Sequence, residues 1–415
     1  MKVSVIGLGR LGAPFAALAA ARGHTVIGVD TNPTVVYNVN ACQAPVEETG
    51  LQEMMKRAEG RFMATIDLEQ AIRATEMTFI IVPTPSEENG RFSLRYVLPV
   101  VEQIGHTLVS KEKAHVVVLV STVMPGDSMG LSHILDATAG KPIPFCYNPS
   151  FIALGSVLHD LEHPDFLLIG ASDERGVAYL KDFYAPIFGT PKPTLYATAL
   201  VNAEIAKLAV NAFLTTKIAF ANMLGRLCDL HQGADVDRVT EIVGADSRIG
   251  SKYLKAGCPP GGPCLPRDTV ALSAAVLSWL PEAVEKEHGD QVEYIADKVR
   301  QYAQNGHKVG ILGLAYKVDT EVTENSTGKA LLELLSSVWF TVMSYEPTIG
   351  WRQGPFRGQE LVEWADVIVI ATPWEEFKTL DYGNIPVIDP WRLLRDKPPK
   401  NWVPLGMGGR ASVPA

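Results

Sequence analysis

A glycine turn near the start of the chain restricts the possible fold more than any other feature. Gly7-Leu8-Gly9-Arg10-Leu11-Gly12 follows an apolar segment at residues 3–6 and precedes an alanine-rich segment at 13–21 that predicts a helix. Glycines at this spacing allow a tight turn, a close approach of a pyrophosphate and close packing of the helix on the strand. The next strand-like segment, residues 25–29, is followed directly by Asp30. Together these residues predict a βαβ unit that binds a dinucleotide.

The acidic residue at the end of the second strand predicts which dinucleotide is bound. A carboxylate at Asp30 can accept hydrogen bonds from the ribose hydroxyls, and it repels the 2′-phosphate of NADP. We therefore expect NAD as the cofactor. The predicted contacts in this part of the chain are Gly7, Gly9, Arg10, Leu11, Gly12 and Asp30.

Apolar segments of strand length recur along the chain, and they indicate an α/β protein. Continuous apolar runs of this kind are typical of parallel strands that are covered on both faces. They lie at residues 78–82, 116–120, 166–169, 308–314, 367–371 and 386–388. The part of the chain from about residue 197 to residue 303 is helical in pattern and contains one long apolar segment, residues 203–230.

This order of segments predicts two Rossmann-like doubly wound domains joined by a central helical domain with a long spine helix. The predicted bounds are 1–196 for an NAD-binding domain, 197–303 for the helical domain and 304–415 for a second, smaller Rossmann-like domain. The long apolar spine also predicts a homodimer through the central helices. The tail after Pro398 is rich in proline and glycine, so we expect it to be loosely ordered.

Composition and charge narrow the compartment and the class of partner. The net charge of -9 argues against general binding to nucleic acid or to a membrane surface. The five cysteines are odd in number and irregularly spaced, which is typical of a reducing compartment rather than a disulfide framework. We therefore expect a cytoplasmic protein, and the cysteine and histidine spacing predicts no metal site.

One cysteine lies in a setting that favours chemistry over packing. It belongs to Gly261-Gly262-Pro263-Cys264-Leu265-Pro266-Arg267-Asp268, a loop with a cation and a carboxylate three and four residues further on. A lone cysteine is more often a small buried hydrophobic residue, but these glycines, prolines and charges favour an exposed nucleophile. A thiol combined with a dinucleotide site indicates oxidation of an alcohol through a sulfur-bound aldehyde.

Further short motifs follow one another in a fixed order. They are Val82-Pro83-Thr84-Pro85, Ser121-Thr122-Val123-Met124-Pro125-Gly126, Asn148-Pro149, Glu204-x-x-Lys207-x-x-x-Asn211, Asp246-Ser247-Arg248-Ile249-Gly250, the cysteine loop, Gly313-Leu314-Ala315-Tyr316-Lys317 and Thr372-Pro373-Trp374-Glu375-Glu376-Phe377. With the first glycine turn, this ordered set resembles the UDP-glucose/GDP-mannose dehydrogenase family along nearly the whole chain. The resemblance implies oxidation of the C6 alcohol of a UDP- or GDP-linked sugar to a uronic acid, with two molecules of NAD.

The resemblance also implies roles for individual residues. Cys264 would hold the aldehyde as a thiohemiacetal and then as a thioester. Lys207 and Asn211 lie four residues apart and therefore face one side of a helix, where they would stabilise a developing oxyanion. Asp268 would pair with Lys207 or a catalytic water, and Thr122 would bond the reacting oxygen.

Binding residues follow from the same resemblance. Pro83, Thr84, Ser121, Thr122 and Cys264 would contact the cofactor. The implied substrate contacts are Phe151, Lys207, Asn211, Tyr253, Leu254, Gly257, Gly261 and Lys317.

Four positions depart from the usual family pattern and leave the reaction open. Ser150 and Leu154 stand where the family usually has acidic residues, Ala153 where it has a basic one, and Glu324 where it has arginine. A missing carboxylate base would slow thioester hydrolysis. One alternative is therefore a single two-electron oxidation of an unusual nucleotide sugar to a ketone or aldehyde. Another is a non-catalytic nucleotide-sugar-binding subunit.

Overall fold

The computed structural model describes residues 1–189, 191–276, 278–303, 306–336, 340–348 and 357–409. The chain divides into two compact units, Met1–Leu208 and Ala209–Ala415, and their boundary falls within one long helix. The predicted α/β class, with two parallel-sheet domains and a long central helix, is confirmed. The three predicted domain bounds remain a prediction.

The N-terminal unit is built on one sheet, whose described strands run in the order β3-β2-β1-β4-β5-β6-β7-β8. Strand order reverses between β1 and β4, which is the position where doubly wound sheets bind their ligands. The strands are β1 (Lys2–Ile6), β2 (Thr25–Val29), β3 (Phe62–Thr65), β4 (Met77–Ile80), β5 (Val116–Leu119), β6 (Phe145–Tyr147), β7 (Phe166–Ala171) and β8 (Thr194–Thr198).

Strand β7 departs from the all-parallel sheet that the apolar runs suggested. It pairs antiparallel with β6 and parallel with β8. The apolar pattern of Phe166–Ala171 gives the strand but not its direction, because burial on both faces looks the same in either orientation. Among the described strands, the sheet is therefore parallel except at the pairing of β6 with β7.

Helices cover both faces of this sheet. The first of them is buried along almost its whole length, which its run of small alanine side chains permits. The helices are α1 (Gly12–Ala21), α2 (Pro33–Asn40), α3 (Leu51–Arg57), α4 (Leu68–Ala74), α5 (Val97–Leu108), α6 (Asp127–Ala139), α7 (Val157–Glu162) and α8 (Glu174–Tyr184).

The long helix α9 (Leu200–Asp229) corresponds to the apolar segment predicted at 203–230. Its length and composition alone would suffice to cross a membrane. Its polar residues Glu204 and Lys207 are nevertheless buried and hydrogen-bonded within the N-terminal unit.

The C-terminal unit combines helices with a second, smaller parallel sheet. Its described strands run in the order β10-β9-β11-β12-β13, with the reversal between β9 and β11. The strands are β9 (Lys308–Leu312), β10 (Thr341–Tyr345), β11 (Val367–Ile370), β12 (Val387–Asp389) and β13 (Trp402–Pro404). Besides the 3-10 helix Glu375–Thr379, the helices are α10 (Val236–Ala245), α11 (Leu265–Ala275), α12 (Trp279–Tyr302), α13 (Thr327–Ser336) and α14 (Gly358–Trp364).

The prediction of a loosely ordered tail after Pro398 is wrong as far as residue 409. Trp402–Pro404 forms the edge strand β13, and the indole Nε1 of Trp402 donates to Asp389 Oδ2 at 3.0 Å. Trp402, Val403 and Leu405 are buried in the core of the unit. Their apolar contacts outweigh the proline and glycine content on which the prediction depended, and residues 410–415 lie outside the described part.

Candidate functional site

The glycine turn after β1 requires glycine at its first and last positions, Gly7 and Gly12. Gly7 has a φ of +90°, in the left-handed region. A Cβ on Gly12 would lie 1.8 Å from the carbonyl oxygen of Gly7, so the helix α1 packs directly on the turn. Apart from its two chain neighbours, no described residue has an atom within 4 Å of the position that a Cβ on Gly9 would take, and Gly9 is exposed. The turn therefore offers an open surface at a helix N-terminus, which fits a pyrophosphate.

Asp30 completes this site at the end of β2. Its Oδ2 accepts from Leu8 N at 2.9 Å and its Oδ1 accepts from Asn32 N at 2.9 Å. A carboxylate has about four lone-pair positions, so these two bonds orient the group and leave acceptors for ribose hydroxyls. The predicted residues of the turn and Asp30 thus come together, and they fit NAD.

Two further loops meet the turn at the same edge of the sheet. The loops follow β4, which lies beside β1 in the sheet, and β5, which lies on the other side of β4. Thr84 Oγ1 donates to the carbonyl of Thr122 at 2.7 Å, and Ser121 Oγ donates to the carbonyl of Val82 at 2.6 Å. These bonds tie the two loops together, so Thr84, Ser121 and Thr122 lie at one edge of the sheet with the glycine turn. Their contact with the cofactor remains a prediction.

Glu204 supports this edge in a way that the sequence did not reveal. It is fully buried, and its two carboxylate oxygens accept from Gly126 N and Ser128 N, both at 2.7 Å. These amides open helix α6, where a negative charge is stabilised by the helix dipole. Glu204 thereby fixes the loop that carries Ser121 and Thr122. Its place in the motif with Lys207 was the available signal, but the motif does not say which amides it binds.

Lys207 is positioned by the segment after β6. Its Nζ donates to the main-chain carbonyl of Ser150 at 3.0 Å and lies 4.9 Å from the centre of the Phe151 ring. Only 8% of Lys207 is exposed. A buried ammonium held by a carbonyl and an aromatic face is fixed in place rather than solvated. The structure therefore brings together Lys207 and Phe151, two predicted substrate contacts, with Ser150, one of the family departures.

In the C-terminal unit, Cys264 is the N-cap residue of α11 and is exposed. Cys228 and Cys258 of the same unit are buried, as is Cys146 of the N-terminal unit. The N-terminal end of a helix stabilises a nearby anion, including a thiolate. Asp268 lies in the first turn of the same helix, and its Oδ2 accepts from Asn211 Nδ2 at 2.6 Å. Both side chains of this pair are buried. This hydrogen bond holds Asn211 of α9 against the first turn of α11, next to Cys264.

The loop after β9 holds the cysteine loop from its N-terminal side. Gly262 N donates to the carbonyl of Glu324 at 2.8 Å, and Asn325 Nδ2 donates to the carbonyl of Gly262 at 3.2 Å. A Cβ on Gly261 would lie 2.6 Å from the carbonyl oxygen of Asn325, and a Cβ on Gly262 would meet the Tyr316 ring. Both glycines are therefore required for this close packing. The contact joins distant segments of the chain, and the sequence alone did not reveal it.

The remaining predicted substrate contacts lie in the C-terminal unit and differ in exposure. Tyr253 is half-exposed and has a φ of +63°, whereas Leu254 is buried. Both main-chain groups of Gly257 are taken, its N–H by Asn222 Oδ1 at 2.8 Å and its carbonyl by Gln291 Nε2 at 3.0 Å.

Lys317, the last of these predicted contacts, is half-buried. Its Nζ lies 6.0 Å from the centre of the Tyr316 ring.

Comparisons with known proteins decide the family. Three sequence profiles of the UDP-glucose/GDP-mannose dehydrogenase family match in order: the NAD binding domain at residues 1–188, the central domain at 201–281 and the UDP binding domain at 310–396. The chain belongs to this family. It is an NAD-dependent oxidoreductase that acts on a nucleotide sugar.

Relatives with both types of substrate resemble the chain over most of its length. A UDP-glucose 6-dehydrogenase of Haloferax volcanii is 34% identical and covers 92% of this chain and 93% of its own. A GDP-mannose 6-dehydrogenase of Pseudomonas syringae is 30% identical, with 88% and 84% covered. The solved structure of a UDP-glucose dehydrogenase from Pyrobaculum islandicum is 33% identical, with a TM-score of 0.89 and 98% and 97% covered.

Proposed function

We propose that this dehydrogenase oxidises the C6 alcohol of a UDP- or GDP-linked sugar to a uronic acid, with Cys264 as the covalent nucleophile. The observation that carries the proposal is the exposed Cys264 at the N-cap position of α11. The UDP binding domain profile and the named activity of the Haloferax volcanii relative favour a UDP-sugar, with UDP-glucose as the first substrate to test.

The chemistry requires two oxidations and one hydrolysis. When bound, NAD accepts the hydride that leaves C6 in each oxidation. The Cys264 thiolate adds to the aldehyde formed first and gives a thiohemiacetal, and the second hydride loss converts this to a thioester. Water then cleaves the carbon–sulfur bond, which releases the carboxylate and the thiol. One sugar alcohol therefore yields two NADH and consumes one water.

Individual residues support these steps through positions described above. The Lys207 ammonium and the Asn211 amide would stabilise negative charge on the substrate oxygen in the transition state. Asp268 orients the Asn211 amide through their 2.6 Å hydrogen bond. The Thr122 segment, which Thr84 and Glu204 hold in place, would bond the reacting oxygen.

Substitution of the nucleophile tests this proposal. Cys264→Ser should lower the rate of uronic acid formation by about 10³-fold or more. The serine hydroxyl stays protonated near neutral pH and is a much weaker nucleophile toward the aldehyde than a thiolate. Cys42→Ser, at a half-buried cysteine in the N-terminal unit, serves as the matched control and should keep its activity. Complete oxidation by Cys264→Ser at the rate of the unsubstituted protein would rule the covalent role out.

Ser150 supports a second candidate, a single two-electron oxidation that ends at a ketone or aldehyde. This residue stands where the family usually has glutamate, and the structure shows its carbonyl bound to Lys207. A reaction that stops at a carbonyl needs no base for thioester hydrolysis. Product masses separate the candidates, because a carbonyl product is two hydrogens lighter than the substrate, whereas a carboxylic acid has exchanged two hydrogens for an oxygen.

A homodimer is proposed from an apolar stripe on α9. Phe213, Phe220 and Leu227 follow one another at intervals of seven residues, and all are exposed in the single chain. Such a stripe is typical of a helix that packs against a second helix. Light scattering should give the mass of a dimer, and Phe220→Glu should shift it toward a monomer. We also propose that the protein is cytoplasmic, which cell fractionation tests.

A further inference from the structure

Arg392 combines a strained backbone with a buried side chain. It lies in the loop after β12, and its φ of +56° is in the left-handed region, which a residue with a Cβ rarely adopts. Strain of this kind persists only where surrounding contacts compensate for it, and it is concentrated at functional sites. Arg392 is 4% exposed, so its compensating contacts lie inside the protein.

The guanidinium of Arg392 uses all of its donor capacity. Nε and Nη2 donate to the two carboxylate oxygens of Asp237 in α10, at 2.9 and 2.8 Å. Nη2 also donates to the carbonyl of Ala256 at 2.8 Å, and Nη1 donates to the carbonyls of Pro390 and Leu405. A guanidinium has five N–H groups, and each has an acceptor. One side chain therefore joins α10 and the loop after β12 to the segment that precedes the cysteine loop.

The segment of residues 253–257 exposes one set of side chains and buries the other. Tyr253 and Lys255 are exposed, whereas Leu254 and Ala256 are buried. An aromatic ring can stack on a nucleotide base and an ammonium can bind phosphate, so the exposed pair suits the substrate contact that the sequence predicts here. The place of this exposed pair depends on how the main chain of the segment is anchored.

Gly257 shows that the anchoring involves several elements of the C-terminal unit. Its N–H donates to Asn222 Oδ1 of α9 at 2.8 Å, and its carbonyl accepts from Gln291 Nε2 of α12 at 3.0 Å. A Cβ on Gly257 would lie 2.4 Å from the Trp391 ring, so the neighbour of Arg392 packs on the same segment. The loop after β12 therefore contacts the segment twice, through the guanidinium and through the indole.

We infer that Arg392 is a positioning residue for nucleotide-sugar binding, because its guanidinium holds the segment of residues 253–257 in the conformation that receives the nucleotide diphosphate. This role rests on the proposed function, but it concerns the binding of the substrate and not its oxidation. Loss of the guanidinium releases the main chain at Ala256, and the exposed Tyr253 and Lys255 then lose their fixed place.

Arg395 provides a matched control in the same loop. Its Nη1 donates to Asp237 Oδ2 at 2.8 Å, and its Nη2 donates to Asp235 Oδ2. In the described part of the chain, no hydrogen bond joins Arg395 to residues 253–257. Arg395→Met therefore removes a cation from the acidic partner that it shares with Arg392 and leaves the segment anchored.

Calorimetric titration of the full chain with UDP-glucose and with GDP-mannose tests the inference, at a temperature well below the thermal midpoint of each variant. Arg392→Gly removes the guanidinium and suits the left-handed backbone, and Arg392→Lys keeps the charge without the planar fork. Each should weaken the affinity for the nucleotide sugar by about tenfold or more, whereas the affinity for NAD should stay within about twofold. Arg395→Met should bind the nucleotide sugar as the unsubstituted protein does.

Steady-state kinetics give a readout that a purely structural role would not change. Arg392→Lys should raise the KM for the nucleotide sugar about tenfold, and kcat at saturation should stay within about threefold. The inference is overturned if the Arg392 variants have a lower thermal midpoint but the affinity of the unsubstituted protein. It is also overturned if Arg395→Met loses as much affinity as they do, or if the unsubstituted protein binds neither nucleotide sugar. The titration needs no turnover, so a failure of the oxidation through Cys264 would not affect it.

Discussion

The two sheets of this protein share a strand-to-helix turn and use it differently. In the N-terminal unit the turn consists of residues 8–11, between Gly7 and Gly12. In the C-terminal unit it consists of residues 314–327, between Gly313 and Gly328. Both first glycines have left-handed backbones, with φ of +90° and +97°. A Cβ on Gly328 would lie 2.2 Å from the carbonyl oxygen of Gly313, just as Gly12 packs on Gly7.

The acidic residue after the second strand shows how the two turns diverge. Asp30 is half-buried and uses only part of its capacity on Leu8 and Asn32. Glu346 is 1% exposed, and its Oε2 accepts from both Leu314 N and Ala315 N at 2.7 Å, while Oε1 accepts from Thr348. The first carboxylate can receive a ribose, whereas the second holds its own loop. That long loop in turn supports the cysteine loop.

The largest contrast is expected from the packed helix glycines. Gly12→Ala forces the start of α1 away from Gly7, so the affinity for NAD should fall by roughly 10- to 100-fold. Gly328→Ala should instead lower the thermal midpoint and slow turnover while the NAD affinity stays within about twofold. Calorimetric titration of NAD into both variants measures this. Equal losses of NAD affinity would mean that both turns serve the cofactor.

The two acidic residues should also separate cofactor binding from stability. Asp30→Asn should weaken NAD binding by about tenfold and reduce discrimination against NADP, because the negative charge opposite the ribose is lost. Glu346→Gln brings amide hydrogens toward donors of its own loop and should cost about 1–3 kcal/mol of stability. Its NAD affinity should not change. A Glu346→Gln protein that loses NAD binding but keeps its thermal midpoint would contradict the difference between the turns.

A smaller contrast is expected between two buried histidines. His115, in the N-terminal unit, bonds Thr78 Oγ1 at 2.7 Å and Lys111 Nζ at 2.9 Å. The ring nitrogens of His288 have no well-formed hydrogen bond among the described residues, and their one polar neighbour named there is the Thr215 main chain. At pH 7, His115→Phe should therefore lower stability by about 1–3 kcal/mol, and His288→Phe should be neutral or stabilising. Thermal melts of both variants measure this difference.

The same histidines predict how stability depends on pH. Burial, together with the Lys111 charge, lowers the pKa of His115 to about 3, and burial lowers that of His288 to about 4. Below pH 6.5 the unfolded chain binds protons that the folded chain does not, so stability falls as the pH decreases toward these values. Each phenylalanine variant should lose less stability than the unsubstituted protein between pH 6.5 and 4. An unchanged pH profile would show that the ring concerned is not neutral in the folded state.

The sequence predicted the parts of the protein that depend on neighbouring residues. The Gly7–Gly12 turn, Asp30 and the strands came from local patterns of glycine and apolar residues, and family motifs pointed to Cys264. The direction of β7, the edge strand Trp402–Pro404 and the amides bound by Glu204 depend on contacts between distant segments. The same is true of the support that Asn325 gives to Gly262, which no local pattern encodes.

The number of NADH formed per sugar consumed tests the central claim most directly. The reaction is run to completion with UDP-glucose and with GDP-mannose, and the sugar product is quantified by mass spectrometry. The covalent mechanism through Cys264 predicts two NADH and one uronic acid for each sugar. One NADH with a carbonyl product would contradict it and would establish the single oxidation that Ser150 suggests.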